Sequence, residues 1–256
     1  MRDAAVLDAL IAEAVAAPVD GWGFAWLDGR AIEERPSWGY SGLLVQRVEQ
    51  SSALLDVQTG GAEVITEVLD RAAVLPSLIT ATESWAPNLV IARSNLKAHH
   101  ATVTNVADRQ AFPFKDAAFD LISSRHPVAT RWDEIARVPA PGGQYFAQHI
   151  GAGTNRELTD FIMGPQPVSD VRSAARASRE AKAAGLELSD LREETLRVEF
   201  HDIGAVVYFL RKVLWTVPDF TVARYLDRLA RMHEQIRNQG SFISHAQRFL
   251  IEVRKA

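Results

Sequence analysis

"LLDVQTGGAEV", residues 54–64, runs a short apolar stretch into an acid, then a polar stretch, two glycines and the opening of a helical pattern. A buried strand that ends on Asp56 and turns through Gly60 and Gly61 into a helix is built to meet a ligand. Glycine permits positive φ and close approach to the backbone, and the first turn of the helix offers unpaired N–H groups. Read alone, the same residues also describe a glycine turn that only closes a strand-to-helix connection. A phosphate loop is excluded, because no G-x-x-x-x-G-K-[ST] occurs and no lysine follows the glycines.

Outward from this stretch, short apolar runs alternate with helical patterns. The spacing predicts strands at 53–57, 78–83, 101–106, 119–124 and 143–149, with helices near 61–72, 86–97 and 131–138. That alternation means an α/β fold with a parallel, doubly wound sheet, helices on both faces. After Gly151 the rhythm breaks. Residues 169–187 read as a helix closed by Gly185, "LELSDLREETLRVEF" as a sixth strand, 202–215 and 221–240 as helices around Pro218, and "SHAQRFLIEVRK" as the last strand. The N-terminal "MRDAAVLDALIAEAVAA" reads as an amphipathic helix, and residues 18–42, rich in glycine and tryptophan, follow no regular pattern. The expectation is a single domain over 1–256: a cap or lid at 1–50, a cofactor-binding core at 51–151, and a substrate-side half at 152–256 carrying a helical insertion before the last strand.

Composition removes several function classes. With 47% hydrophobic residues in 256, the chain can bury a substantial core. Its 28 basic against 32 acidic residues give a net charge of -4, which argues against a dedicated nucleic-acid surface. No cysteine is present, so disulfides, thiolate metal sites and a cysteine nucleophile are excluded, and no metal is expected. His99 and His100 are adjacent rather than spaced as metal ligands. The N-terminal helix, interrupted by acids, does not read as a signal peptide, and no segment approaches a membrane span; a cytoplasmic location is expected.

Ligands of an open parallel sheet bind beyond the carboxyl ends of its strands. Each strand end here carries polar groups: Asp56, Gly60 and Gly61; Glu83; Asp108; Ser124, Arg125 and His126; Gln148 and His149. Glu83, an acid 27 residues beyond Asp56, stands where it can accept both hydroxyl protons of a ribose. A dinucleotide site would want G-x-G-x-x-G, which this chain lacks.

Four blocks in this order and spacing, "LLDVQTGGAEV", "TATESWAPNLVIARSNL", "VADRQAFPFKDAAFDLISSRH" and "EIARVPAPGGQYFAQHIG", resemble the class I S-adenosylmethionine-dependent methyltransferases. The resemblance covers residues 53–151. "GWGFAWLDGR", "SWGY" and "FHDIGAVVYFLRKVLWTVPDF" extend it to a largely uncharacterised bacterial subgroup of the methyltransferase type 11 kind. It implies a Rossmann-like, mixed seven-stranded sheet that binds S-adenosylmethionine and releases S-adenosylhomocysteine. By that resemblance Asp56 and the backbone around Gly60 and Gly61 hold the amino-acid end of the cofactor. Glu83 takes the ribose, Ser84 and Trp85 line the adenine, Asp108 accepts from its exocyclic amine, the Arg109 backbone completes that edge, and Ser124 lies on the cofactor side. The family usually reads D-x-G-x-G-x-G; here Gln58 replaces the first glycine and Ala62 the last. Gln58 is expected either to bond the methionine carboxylate or amine, or to be a surface residue with no role.

Methyl transfer from a sulfonium is an in-line displacement, so the protein must align donor and acceptor, exclude water and, for a protonated acceptor, remove a proton. His126 is the candidate base, with His149 and His201 behind it, although a histidine there also serves as a structural hydrogen-bonder. Arg125 can pair with a substrate anion or with an acid of the fold. Trp38, Tyr40, Gln148, Asp202, Tyr208 and Trp215 are candidate pocket walls. Core packing competes as a reading for Tyr208 and Trp215, and a mobile aromatic lid is expected of Trp38 and Tyr40. The function these readings describe is methylation of an O or N atom of a small molecule, in a setting such as secondary metabolism, by a monomer or homodimer. RNA methylation and S-adenosylmethionine binding for other chemistry are the alternatives.

Overall fold

The computed structural model describes residues 2–19 and 23–256; Gly21 and Trp22 of the "GWGF" stretch lie outside them. The chain divides into two compact units, one of residues 1–35, 153–169 and 195–247, the other of 36–152, 170–194 and 248–256.

The second unit holds α2 (Tyr40–Val48), β2 (Ala53–Asp56), α3 (Glu63–Arg71), β3 (Leu78–Glu83), α4 (Ala86–Asn95), β4 (Thr102–Asn105), β5 (Phe119–Arg125), α5 (Trp132–Arg137), β6 (Pro139–Ile150) and α7 (Ala174–Ala183). Strands β2, β3, β4, β5 and β6 pair in parallel, with β2 between β3 and β5. Neighbouring side chains alternate between two cores. Leu54, Leu121, Phe146 and Leu250 pack with residues of α2, α3 and α4, whereas Leu55, Ile122, Tyr145 and Ile251 pack with residues of α5 and α7. A strand with a period of two that is apolar on both sides must be covered on both sides, which is why these runs read as continuously hydrophobic.

The first unit contains α1 (Arg2–Ala16), β1 (Ala31–Glu33), α6 (Arg156–Met163), α8 (Ile203–Lys212) and α9 (Val222–Gln239), packed around one apolar core. Strands β7 (Leu186–Phe200) and β8 (Phe242–Lys255) belong in part to each unit. The sheet order is β1-β7-β8-β6-β5-β2-β3-β4, and the β6–β8 and β1–β7 pairs are antiparallel, so the sheet is mixed as expected.

Among the described residues eight strands replace the expected seven. The additional one, Ala31–Glu33, is three residues long and pairs with Val198–Phe200 at an edge. So short a strand carries no alternation to detect. Helices α2 and α6 were likewise hidden, although Tyr40, Leu44 and Val48 recur at helical spacing along α2. Helix 169–187 is confined to 174–183, started by the Ser173 hydroxyl accepting from the Arg176 N–H.

Candidate functional site

Strand order reverses at β2. The chain moves outward through β3 and β4, then returns to lay β5 on the other side of β2. The carboxyl ends of β2 and β5 therefore flank the crevice where such sheets bind ligands. Asp56 and Ser123 are register partners there, and the Ser123 hydroxyl donates to the Asp56 carboxylate at 2.6 Å. Burial pushes Asp56 up to about 6, against the opposing pull of that hydroxyl. Ser123, fully buried, was missed by the sequence reading; its signal was a polar residue inside an apolar run.

The turn after Asp56 explains the glutamine. Positive φ occurs at Gln58 (56°), Gly60 (65°) and Ala62 (65°), every second residue, yet only one of the three is glycine. The backbone thus keeps the conformation that the D-x-G-x-G-x-G pattern provides for, with two side-chain-bearing residues held in the left-handed region at a cost of order 1 kcal/mol or more each. Gln58 is half-buried, and its amide is engaged by the chain itself. Its amide nitrogen donates to the Ala129 carbonyl at 2.7 Å, and its amide oxygen accepts from the Val128 N–H at 2.6 Å. The side chain therefore ties the β2 turn to the segment after β5.

Glu83, buried at the end of β3, accepts from three backbone N–H groups: Gly60 on Oε2 at 2.8 Å, and Ser84 and Trp85 on Oε1 at 2.9 and 2.8 Å. A carboxylate offers about four acceptor directions, so the remaining one belongs to Oε2. Beside it the Ser84 hydroxyl donates to Asp108 at 2.9 Å, and Trp85 is exposed. Arg109 is exposed, and its carbonyl accepts from Arg131. Asn95 Nδ2 donates to the Gly61 carbonyl at 2.9 Å. The Thr59 hydroxyl, in the same turn, is buried beside Asp56 and, with Ser123, opposes the upward pull of burial on its carboxyl. Acids at two strand ends and a left-handed turn between them fit a nucleoside carrying a polar amino-acid tail.

The ends of β5 and β6 form a second cluster. Ser124 is buried and donates to the Val57 carbonyl; its own carbonyl accepts from the Tyr40 hydroxyl at 3.0 Å. Trp38 Nε1 donates to Gln148 Oε1 at 2.8 Å, and the Gln148 amide nitrogen lies 2.9 Å from His126 Nε2. Trp38 and Tyr40, of which a lid was expected, are packed in this structure. Both rings are buried in the core beside α3, and Tyr40 stacks on Phe146 with centroids 5.2 Å apart. Both rings thus bury their apolar area while the indole N–H and the phenol hydroxyl each find an acceptor.

His126 is half-buried, with its ionisation driven well below the ordinary histidine value by burial and by Arg125, Arg248 and His149. His149 is lowered to about 3 by burial and Arg172; it stacks on Phe249 and shares a hydrogen bond with the Tyr145 hydroxyl. Arg125 is exposed at the end of β5.

In the other unit, Asp202 caps α8 by accepting from the Ala205 N–H at 2.8 Å, Tyr208 is buried and stacked on Trp26, and Trp215 is exposed. His201 donates its N–H to the Arg30 carbonyl. Asp202 and Tyr208 thus have structural partners within their own unit. His99 sits in a short 3-10 turn, bonded to Asp70. Among the described residues no cluster of His, Asp and Glu is arranged to hold a metal, and no helix is long and apolar enough to cross a membrane.

Comparison with known proteins bears on this geometry. Residues 55–147 match the methyltransferase domain family. No protein of curated function matches the sequence. Among solved structures, a protein of Bacillus halodurans C-125 for which methyltransferase activity has been suggested superposes with a TM-score of 0.57 at 16% identity, covering 84% of this chain and 98% of that one. The [4+2]-cyclase SpnF superposes at 0.52 with 17% identity, covering 97% and 93%. Phosphoethanolamine N-methyltransferase 2 of Haemonchus contortus, solved with S-adenosyl-L-methionine, superposes at 0.51 with 13% identity over 85% of this chain and 52% of that one. The fold is that of the class I S-adenosylmethionine-dependent methyltransferases.

Proposed function

We propose that this chain, with a methyltransferase domain at its centre, transfers a methyl group from S-adenosylmethionine to an O or N atom of a small molecule. The observation that carries the reading is the pairing of two buried acids, Asp56 and Glu83, across a left-handed turn at the switch point of the sheet. Asp56 would hold the amino group of the cofactor, Glu83 Oε2 a ribose hydroxyl, and Ser84 and Asp108 the adenine edge. The cofactor supplies an electrophilic methyl on a sulfonium; the chain's part is to fix its two ends and keep the methyl in line with an acceptor. A net charge of -4 supports a small acceptor over RNA. Calorimetric titration with S-adenosylmethionine and S-adenosylhomocysteine tests the reading. Binding of both is expected, and a folded protein that binds neither would refute it.

A second reading has one observation in its favour. SpnF, which shares the fold over nearly the whole chain, is a cyclase by description, so a cofactor-binding chain of this shape can serve chemistry other than methyl transfer. Methylation of no acceptor across amine, carboxylate and phenol panels, with intact S-adenosylmethionine binding, would favour it.

A further inference from the structure

The chain of contacts from Trp38 through Gln148 to His126 has a direction that can be read atom by atom. An indole N–H only donates, so Gln148 must present its amide oxygen to Trp38, as it does at 2.8 Å. Its amide nitrogen then faces His126 Nε2 at 2.9 Å. That nitrogen also only donates, so Nε2 must accept, and the proton of the neutral ring is placed on Nδ1. Moving the proton to Nε2 would set two donors against each other in a half-buried site.

The backbone holds the residue in the same place. His126 has a φ of 58°, and its N–H donates to the Gln148 carbonyl at 2.7 Å. Two residues on, Gln58 secures both the Val128 N–H and the Ala129 carbonyl. Charged and titratable groups facing the ring come from three strands, Arg125 on β5, His149 on β6 and Arg248 on β8, and the arginines oppose a cationic imidazole.

We infer that His126 is a fixed hydrogen-bond donor through Nδ1–H, and that Trp38 and Gln148 are positioning residues that set its tautomer. For what this donor serves, the inference rests on the methyl-transfer reading: it would bind an acceptor atom, such as a carbonyl or carboxylate oxygen, on the molecule to be methylated. A general-base role through Nε2 is closed, because that lone pair is already engaged. Any proton released by the acceptor leaves by another route.

Long-range proton–nitrogen correlation spectra of the 15N-labelled protein, without cofactor or acceptor, test this directly; the His126 signals are assigned by their loss in His126→Asn. The expected wild-type ring is neutral with Nε2 unprotonated, and its ionisation lies well below the ordinary histidine value. Trp38→Phe frees the amide to rotate, so a second population with Nε2 protonated is expected. Gln148→Glu offers an acceptor to Nε2 and should raise the ionisation of His126 so that imidazolium appears at a pH where the wild type is neutral. If Gln148→Glu does not fold, the other two spectra decide. A wild-type ring protonated on Nε2, an ordinary titration in the wild type, or an unchanged tautomer in Trp38→Phe would overturn the inference. These spectra do not depend on methyl transfer, so their failure and a failure of cofactor binding are separate results.

Discussion

At the end of β3 Glu83 gathers backbone N–H groups, whereas at the ends of β5 and β6 Trp38, Gln148 and His126 bond one another side chain to side chain. Glu83 takes N–H groups one, two and 23 residues away. Trp38 reaches Gln148 over 110 residues, and Gln148 reaches His126 over 22. The first arrangement is a turn organised by one carboxylate. The second is a side-chain network that ends on His126. On the methyl-transfer reading, one region would hold the cofactor and the other would present a defined group to the acceptor.

The largest effect is expected where local backbone depends on a single carboxylate. Glu83→Ala removes the acceptor of three backbone N–H groups and should lower stability on the order of 3 kcal/mol in denaturant unfolding, with loss of S-adenosylhomocysteine binding. Glu83→Gln, which keeps an acceptor oxygen, should lose roughly half as much stability. Equal stability in Glu83→Ala and wild type would show that the turn at Gly60 does not depend on this acid, and would erase the distinction between the two regions.

Next comes a pH effect. Burial raises Asp56 from 3.8 to about 6, so folding favours its protonated form. Its contribution to stability is complete below pH 3.8 and is lost as pH rises through about 6, a cost on the order of 3 kcal/mol. A cationic amino group beside it favours the carboxylate instead. Affinity for S-adenosylhomocysteine should therefore rise about tenfold between pH 5 and 7 and flatten above, and Asp56→Asn should bind weakly without that rise. A flat profile in the wild type would remove Asp56 from the amino-acid end.

How much of this was legible in the sequence follows from the same contrast. Strands β2, β5 and β6 were visible because each is apolar on both faces, and Asp56 and Glu83 were visible because acids at strand ends stand out. Local chemistry leaves a local pattern. The bond between Trp38 and Gln148 leaves none, since neither residue's neighbours mention the other, and the aromatics near 38–40 therefore looked like an uncovered lid. Gln58 stood out as an oddity, but its partners, Val128 and Ala129, are engaged through backbone atoms that any residue would supply. Strand Ala31–Glu33 was too short to show a period.

The smallest effect sharpens the link between the two regions. Gln58→Gly loses two amide bonds of about 1 kcal/mol each but relieves a left-handed side chain worth about 1 kcal/mol. A net destabilisation of roughly 1 kcal/mol is expected by denaturant unfolding, with S-adenosylhomocysteine affinity within about threefold of wild type, because the amide faces Val128 and Ala129. A gain in stability would mean that the tie between the turns contributes nothing, and a large loss of affinity would put Gln58 against the cofactor.

The central claim is that the ends of β2 and β3 hold S-adenosylmethionine through Asp56 and Glu83. Calorimetric titration of the full chain with S-adenosylmethionine and with S-adenosylhomocysteine tests it most directly. The account predicts one site per chain for each ligand, weakened by Asp56→Asn and by Glu83→Gln. Absence of binding by the folded wild-type chain, or binding that neither substitution disturbs, would contradict it.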